Sequence, residues 1–127
     1  MIGNKVSINQ GVLLVADKGA TITLEDHVRI GPEAQLVTTA YHQVCPGERI
    51  KTANIVIGRN ALIGRRANIL PGITVGMHAV VGSCSVVTKD VPPRTFVAGN
   101  PAVIKKVFNC PDDWIRDSES QVIPAAQ

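Results

Sequence analysis

Residues 57–87 read IGRNAL IGRRAN ILPGIT VGMHAV VGSCSV V when the chain is divided at every sixth position. A branched aliphatic residue opens every hexad, and glycine follows it in four of them. The fifth position of each complete hexad holds a small or branched residue. A fixed period of this kind predicts a stacked, repetitive architecture.

A six-residue period fits neither a helix, where residues three and four apart share a face, nor a long flat strand, which alternates every two residues. Short strands joined by tight bends fit if three hexads, 18 residues, form one coil of a triangular solenoid. The predicted stacks are Ile57 on Val75, Ile63 on Val81, and Ile69 on Val87. We expect the glycines to supply backbone freedom at the corners. The alternative is a sandwich of short strands, but turn signals in a sandwich recur about every 8–12 residues rather than every six.

The same frame continues toward the N-terminus with two interruptions. The step from Leu14 to Leu24 is ten residues and contains an Asp-Lys-Gly sequence that predicts a turn. The step from Leu36 to Ile57 is 21 residues and predicts a surface loop over about 41–54. Insertions of this kind lie on the functional face of many solenoids.

These breaks predict the domain organisation. We expect a single repeat domain over 1–107, with the loop extruded from it, and a C-terminal tail over 108–127. Within the tail, Asp112 to Ser118 is predicted to form a short turn or helix in which Trp114 and Ile115 cover the open end of the rod.

Composition excludes several classes of protein. Aromatic residues are 3% of the chain, so the core must consist of small aliphatic side chains. The net charge of +3 is too small to predict a nucleic-acid partner. The sequence has no long apolar run or secretory leader, and we expect no membrane span. Three cysteines without a CxxC pair predict reduced thiols in the cytoplasm.

The end of the repeat carries more specific motifs. ILPGITVG at 69–76 is followed by VVTKDVPP at 86–93 and AGNPA at 98–102. With these motifs, residues 2–107 resemble the hexapeptide-repeat acyltransferases, most of all the sugar O-acetyltransferase branch that includes maltose and galactoside acetyltransferases. The resemblance implies an all-β, left-handed parallel β-helix, a hand that spacing alone does not predict. It also implies a homotrimer with active sites between adjacent subunits.

The resemblance assigns a catalytic role to His42. This residue ends the sequence TTAYH where the coil breaks into the loop, and Glu48-Arg49 follows it as in the family. A sugar hydroxyl must lose a proton as it attacks a thioester, and imidazole, with a pKa of about 6.5, accepts that proton at neutral pH. His27 and His78 fall at corner positions and are predicted to be solvated surface residues.

Two residues correspond to acceptor-binding positions of the family. Asn9, in INQG, matches an asparagine that holds the acceptor or the developing oxyanion, and Asp17 matches an acidic residue that binds sugar hydroxyls. A carboxylate accepts hydrogen bonds from two vicinal hydroxyls at once. Both residue types are also common in ordinary turns.

The resemblance also implies a groove for acetyl-CoA. The corresponding residues are Gly64, Arg65, Ser83, Thr88 and Lys89, with Lys105 and Lys106 near the phosphates. Small residues let the pantetheine arm approach the backbone, and cationic side chains suit phosphate. Two positions depart from the family: Leu62 replaces an aromatic residue that many relatives carry, and Arg65 replaces a small one.

The predicted function is direct transfer of an acetyl group from acetyl-CoA, as co-substrate, to a hydroxyl or amine of a sugar-like acceptor, with no metal. One alternative is a metal enzyme of the γ-carbonic-anhydrase type, which needs three converging histidines, whereas the three here are 15 and 36 residues apart. The other is a non-catalytic structural solenoid.

Overall fold

The strands of this protein are short because a bend follows each of them within a few residues. The computed structural model describes residues 1–40, 45–48 and 50–116. Its strands are Ser7–Ile8 (β1), Leu13–Val15 (β2), Ile22–Leu24 (β3), Arg29–Ile30 (β4), Gln35–Val37 (β5), Thr39–Ala40 (β6), Lys51–Thr52 (β7), Ile55–Ile57 (β8), Leu62–Ile63 (β9), Asn68–Ile69 (β10), Thr74–Val75 (β11), Val80–Val81 (β12), Val86–Val87 (β13), Thr95–Gly99 (β14) and Ala102–Val107 (β15).

Parallel pairing between successive coils arranges the strands into three faces. The first face holds β3, β8 and β11; the second holds β1, β4, β9, β12 and β14; the third holds β2, β5, β10 and β13. The chain turns at a first corner (25–28, 58–61, 76–79, 92–94), a second corner (31–34, 64–67, 82–85) and a third corner (16–21, 38–40 with 50–54, 70–73, 88–91). The fold is therefore the predicted parallel β-helix of triangular cross-section.

The predicted stacks are confirmed by the strand register. Val75 pairs with Ile57, Val81 with Ile63, and Val87 with Ile69. Leu24, Ile30 and Leu36 continue these three columns one coil lower. All nine side chains are at most 1% exposed. Three columns of aliphatic residues therefore run through the core, and smaller buried residues at the corners, such as Ala61, Ala67 and Ala79, pack with them.

The corner glycines serve a purpose other than the one expected. Gly58 and Gly64 do not adopt positive φ; Asn60 and Arg66, two residues later, do so at 60° and 57°. A Cβ on Gly58 would lie 2.8 Å from the backbone nitrogen of Met77, one coil away. The prediction that these glycines supply backbone freedom was wrong: they are required because the next coil passes too close for a side chain.

The coil breaks into the predicted loop at a short antiparallel stem. Thr39 pairs with Thr52 and Ala40 with Lys51, and the hydroxyls of Thr39 and Thr52 lie 2.9 Å apart. Thr38, at the root of the stem, is fully buried; its Oγ1 accepts the Asp17 N–H at 2.9 Å and donates to the Val15 carbonyl at 3.3 Å. The stem is thereby fastened to the preceding coil.

The shorter interruption is the predicted turn. The Ala20 N–H donates to the Asp17 carbonyl at 2.9 Å, which closes the Asp-Lys-Gly turn at the third corner. Within the longer loop, Cys45 to Glu48 form a turn, and residues 41–44 and 49 lie outside the described residues.

The tail was predicted to cover the open end of the rod, but it does not. It turns at Pro111–Trp114 and then follows the first corner back along the rod. His78, predicted to be a solvated surface residue, is fully buried under the tail, with its ring centroid 5.9 Å from that of Trp114. His27, on the same corner, is half-buried. The tail packs against corner side chains because that groove, rather than the end of the rod, offers hydrogen-bond partners. The rest of the predicted 112–118 segment lies outside the described residues.

The part of the chain that is described contains no helix of the length and apolar character needed to cross a membrane.

The stacks predict an unequal response to truncation along one column. Ile63 lies between Ile30 and Val81 and is fully buried, whereas Ile8, at the lower end of the same face, is 42% exposed. Ile63→Ala should therefore lower the free energy of unfolding by about 2–4 kcal/mol, because it leaves a cavity. Ile8→Ala should cost about 1 kcal/mol, since half of the side chain is already in water. Chemical denaturation at one protein concentration measures both, and equal losses would contradict the stacked core.

The root of the stem predicts a second difference. Thr38→Val should cost about 1–3 kcal/mol and speed hydrogen exchange of the Asp17 amide, because it removes the buried oxygen that accepts this N–H. Thr38→Ser keeps the oxygen and is the matched control. If the Asp17 amide exchanges at the same rate in both variants, the hydroxyl does not fasten the stem.

Candidate functional site

The third corner holds the predicted acceptor residue Asp17 at the foot of the loop. Its backbone N–H is held by Thr38, the residue that immediately precedes the stem strand β6. The Asp17 side chain is half-buried. His42, the predicted base, is two residues beyond β6 in the chain and lies outside the described residues. The described part of this corner therefore brings Asp17 to the root of the segment that carries His42.

The second corner holds Asn9 together with part of the predicted donor site. Asn9 follows the stacked residue Ile8 just as Gly64 follows Ile63, so the two lie in one column along the rod. The Asn9 side-chain amide donates to the Ile30 carbonyl at 2.9 Å, which fixes its direction. Arg65 and Ser83 are exposed on the same corner. Asn9 is therefore on the same corner as these donor residues, two coils below Gly64, rather than on the corner of Asp17.

Glycine is required at the second corner for a steric reason. A Cβ on Gly64 would lie 2.7 Å from both the Ser83 nitrogen and the Val81 carbonyl oxygen. Gly64 is therefore required because the next coil passes too close for a side chain, and the backbone carries no side chain at this position.

A cavity of about 340 Å³ opens between the third corner and the final hairpin. Its walls are Val87, Thr88, Lys89, Asp90, Val91, Val97, Pro101, Ala102, Val103 and Ile104. Two predicted donor residues, Thr88 and Lys89, thus line a mainly apolar space. The Asp90 carboxylate accepts the Thr74 N–H at 2.9 Å and is used structurally. Lys105 and Lys106 are exposed further along β15 and do not line the cavity.

Sequence reasoning missed the apolar walls of this cavity. Val97, Ala102 and Ile104 come from β14 and β15, whose antiparallel pairing folds the hairpin over the last coil. The AGNPA motif between these strands signalled a turn, but the period of six ends before it. Only the pairing of the two strands shows that their side chains face the third corner.

The structure thus divides the predicted residues between two corners. Asp17, Thr88 and Lys89 lie on the third corner. The second corner holds Asn9, Gly64, Arg65 and Ser83. The third face separates the two groups within one chain. A complete site that uses both groups requires the third corner of one rod to face the second corner of another.

The histidines do not form a metal centre in the described part of the chain. No cluster of three His, Cys, Asp or Glu side chains suited to a metal ion occurs among residues 1–40, 45–48 and 50–116. Both ring nitrogens of His78 are hydrogen-bonded, Nδ1 to Asn60 and Nε2 to the Asp112 carbonyl. This arrangement does not support the γ-carbonic-anhydrase alternative.

A protein family and a relative of known activity match the sequence. Residues 54–89 match the family described as bacterial transferase hexapeptide (six repeats). The galactoside O-acetyltransferase of Escherichia coli (strain K12) is 34% identical over 111 residues, which are 85% of this chain and 54% of that protein.

Two solved structures superpose on the rod. An acetyltransferase with hexapeptide repeats from Vibrio cholerae O1 biovar eltor, complexed with acetyl coenzyme A, is 37% identical with a TM-score of 0.75, covering 85% of this chain and 60% of that one. A galactoside acetyltransferase in complex with coenzyme A is 32% identical with a TM-score of 0.78, covering 92% and 62%. The chain therefore spans about half to three fifths of the length of these relatives.

These matches also determine the hand of the rod, which is the left-handed one of its structural relatives. The likeness extends over 85% of the chain in one relative and 92% in another rather than over a few hexads. The chain belongs to the hexapeptide-repeat transferase family, and over most of its length it is similar to galactoside O-acetyltransferases.

Proposed function

We propose that this protein transfers an acetyl group from acetyl-CoA to a hydroxyl, or an amine, of a sugar-like acceptor. The observation that carries the proposal is the extent of the match: 85% of the chain aligns with a galactoside O-acetyltransferase, and 85% with an acetyltransferase solved with acetyl coenzyme A. The alternative of a purely structural solenoid does not account for the cavity lined by Thr88 and Lys89.

In the proposed reaction, His42 is the general base. Its imidazole removes the proton of the acceptor hydroxyl as that oxygen attacks the thioester carbonyl carbon. The carbonyl oxygen becomes the oxyanion of a tetrahedral intermediate, which backbone N–H groups stabilise. Collapse of the intermediate breaks the carbon–sulfur bond, and free CoA thiol leaves with a proton. No covalent acyl-enzyme is required.

Asp17 and Asn9 are proposed to bind the acceptor. Asp17 is half-buried at the foot of the loop, and its backbone is immobilised by Thr38, so its carboxylate is held in one place to receive sugar hydroxyls. Asn9 is exposed, and its amide nitrogen donates to the Ile30 carbonyl, which leaves its amide oxygen as the atom for the acceptor.

The donor is proposed to follow the rod. The narrow pantetheine arm would pass the second corner at Gly64 and Ser83, where glycine and a small side chain allow close approach to the backbone. The cavity beside Thr88 and Lys89 offers an apolar wall with a cationic rim. Arg65, Lys105 and Lys106 are exposed and would bind phosphate.

We also propose that the protein is a homotrimer with active sites between subunits. The division of the predicted residues between two corners supports this assembly, because no single rod unites them. A threefold arrangement brings the third corner of each subunit to the second corner of the next and completes three equivalent sites.

The three thiols are unpaired, with Cys45 and Cys84 exposed, which fits the reducing cytoplasm.

The role of His42 is tested by substitution. His42→Ala should lower the rate of acetyl transfer by about two to four orders of magnitude, because the acceptor hydroxyl loses its base. The assay follows free thiol released from acetyl-CoA with a panel of sugars, amino sugars and antibiotics. His27→Ala, on the first corner, is the control and should retain the wild-type rate. An undiminished rate in the His42 variant would remove the proposed mechanism.

The shared site is tested by mixing two inactive variants. His42→Ala inactivates the third corner, and Ser83→Trp should block the second corner, where Ser83 is exposed. In mixed trimers, one interface combines two intact halves, so random reassembly should restore roughly a quarter of the wild-type rate. If both halves come from one subunit, mixing restores nothing. Light scattering on the wild-type protein measures the number of subunits independently.

A further inference from the structure

The C-terminal strap, residues 108–116, follows the first corner across several coils. Its contacts descend the rod in order. Arg94 donates to the Cys110 carbonyl at 3.1 Å, His78 contacts the Asp112 carbonyl, Asn60 donates to the Trp114 carbonyl at 2.9 Å, and Arg29 donates to the Arg116 carbonyl at 3.0 Å. The strap is thus held mainly by corner side chains that bind its backbone carbonyls.

His78 lies at the centre of this arrangement with its proton position determined by its neighbours. The Asn60 side-chain nitrogen lies 2.7 Å from Nδ1 of His78, and an amide nitrogen only donates, so Nδ1 must accept. The proton is therefore on Nε2, which donates to the Asp112 carbonyl at 3.0 Å. Both ring nitrogens are satisfied in the neutral imidazole and only in this tautomer.

Asn60 cannot reverse its amide without releasing the strap. Its Nδ2 also donates to the Trp114 carbonyl, and its Oδ1 accepts the Arg116 N–H at 3.0 Å. Asn60 is 1% exposed, so no water replaces these partners. If the amide rotated, its nitrogen would face the Arg116 N–H, which is also a donor. Its oxygen would face the Trp114 carbonyl, which is also an acceptor.

The surroundings of His78 disfavour a positive charge. Burial lowers the pKa of His78 below its ordinary value; the hydrogen bond to the Asp112 carbonyl opposes this effect, and the cations Arg94, Arg59 and Arg116 lower the pKa further. The strap carries two carboxylates, those of Asp112 and Asp113, and the Asp112 carboxylate is paired with Arg94.

We propose that His78 and Asn60 form a pH-sensitive latch that holds the C-terminal strap against the first corner at neutral pH and releases it in mild acid. A proton on Nδ1 would point at the amide hydrogens of Asn60. The clash is relieved by rotation of Asn60 or by withdrawal of the ring, and either movement breaks bonds between the corner and the strap.

The direction of the pH dependence follows from proton linkage. The released state, with His78 in water, binds a proton at about pH 6.5, whereas the latched state binds it at lower pH. The latch is therefore fully effective above about pH 6.5, and the released population rises by up to about tenfold per pH unit below it. The effect levels off once the latched state is protonated as well.

The experiment uses hydrogen exchange and the single tryptophan of the chain. Exchange of the Arg116 amide reports its bond to Asn60 directly. The fluorescence of Trp114, whose ring is 5.9 Å from that of His78 and tilted by 43°, reports the ring environment. From about pH 8 to about pH 4.5, exchange corrected for its intrinsic pH dependence should accelerate as the latch protonates. Far-ultraviolet circular dichroism should stay constant, because the rod remains folded.

Matched variants identify the titrating group. His78→Asn removes the imidazole but suits the positive φ of 64° at this position, and the acid-dependent step should disappear. His27→Asn, at φ 62° on the same corner, is the control and should keep the step. Asp112→Asn removes the strap carboxylate and should also keep it, because His78 binds the Asp112 backbone rather than its side chain.

Two results would overturn the proposal. One is wild-type protein whose Arg116 amide shows no acceleration over this pH range. The other is an unchanged acid step in the His78→Asn variant, which would assign the titration to another group.

Discussion

The fold depends on one contact, the stacking of an aliphatic side chain on its equivalent 18 residues away in adjacent coils. A single coil has only three such residues and cannot bury them by itself, so each is stabilised by the coils above and below. The last residue of a corner, such as Val28, Ala61 or Ala79, is also buried in the core, whereas the other corner positions face away from it. This separation lets one rod carry different chemistry on each of its three corners.

The corners obey a backbone constraint of their own. At Gly58 and Gly64 the neighbouring coil approaches too closely for a Cβ, and two residues later the chain enters the left-handed region. This position with positive φ, two residues after the corner glycine, accepts many side chains, among them Asn60 and His78 on the first corner. Side chains stacked along a corner form a column that a ligand, another subunit or the chain's own tail can contact. The strap uses the first corner, which leaves the second and third for the proposed active site.

The candidate site illustrates how much a linear pattern can predict. The loop was predictable because a step of 21 residues interrupts a strict period, and Asp17 because it opens the turn in the step of ten. Both proved to lie on the third corner, joined through Thr38. The apolar cavity was not predictable, because its walls come from the third corner and from a hairpin whose strands pair only with each other and the last coil. His42 remains a prediction from the family motif.

The spacing of aliphatic residues was enough to predict the period, the three columns and their register, because every coil repeats the same pattern and stacking equivalent residues buries them all. The tertiary structure alone decided the role of His78 and the path of the tail. Both depend on side chains far apart in the chain, Asn60, His78 and Arg94, that meet only because the coils are stacked. Periodicity specifies which residues are equivalent, but hydrogen bonding between non-equivalent segments is decided by their distances in the folded molecule.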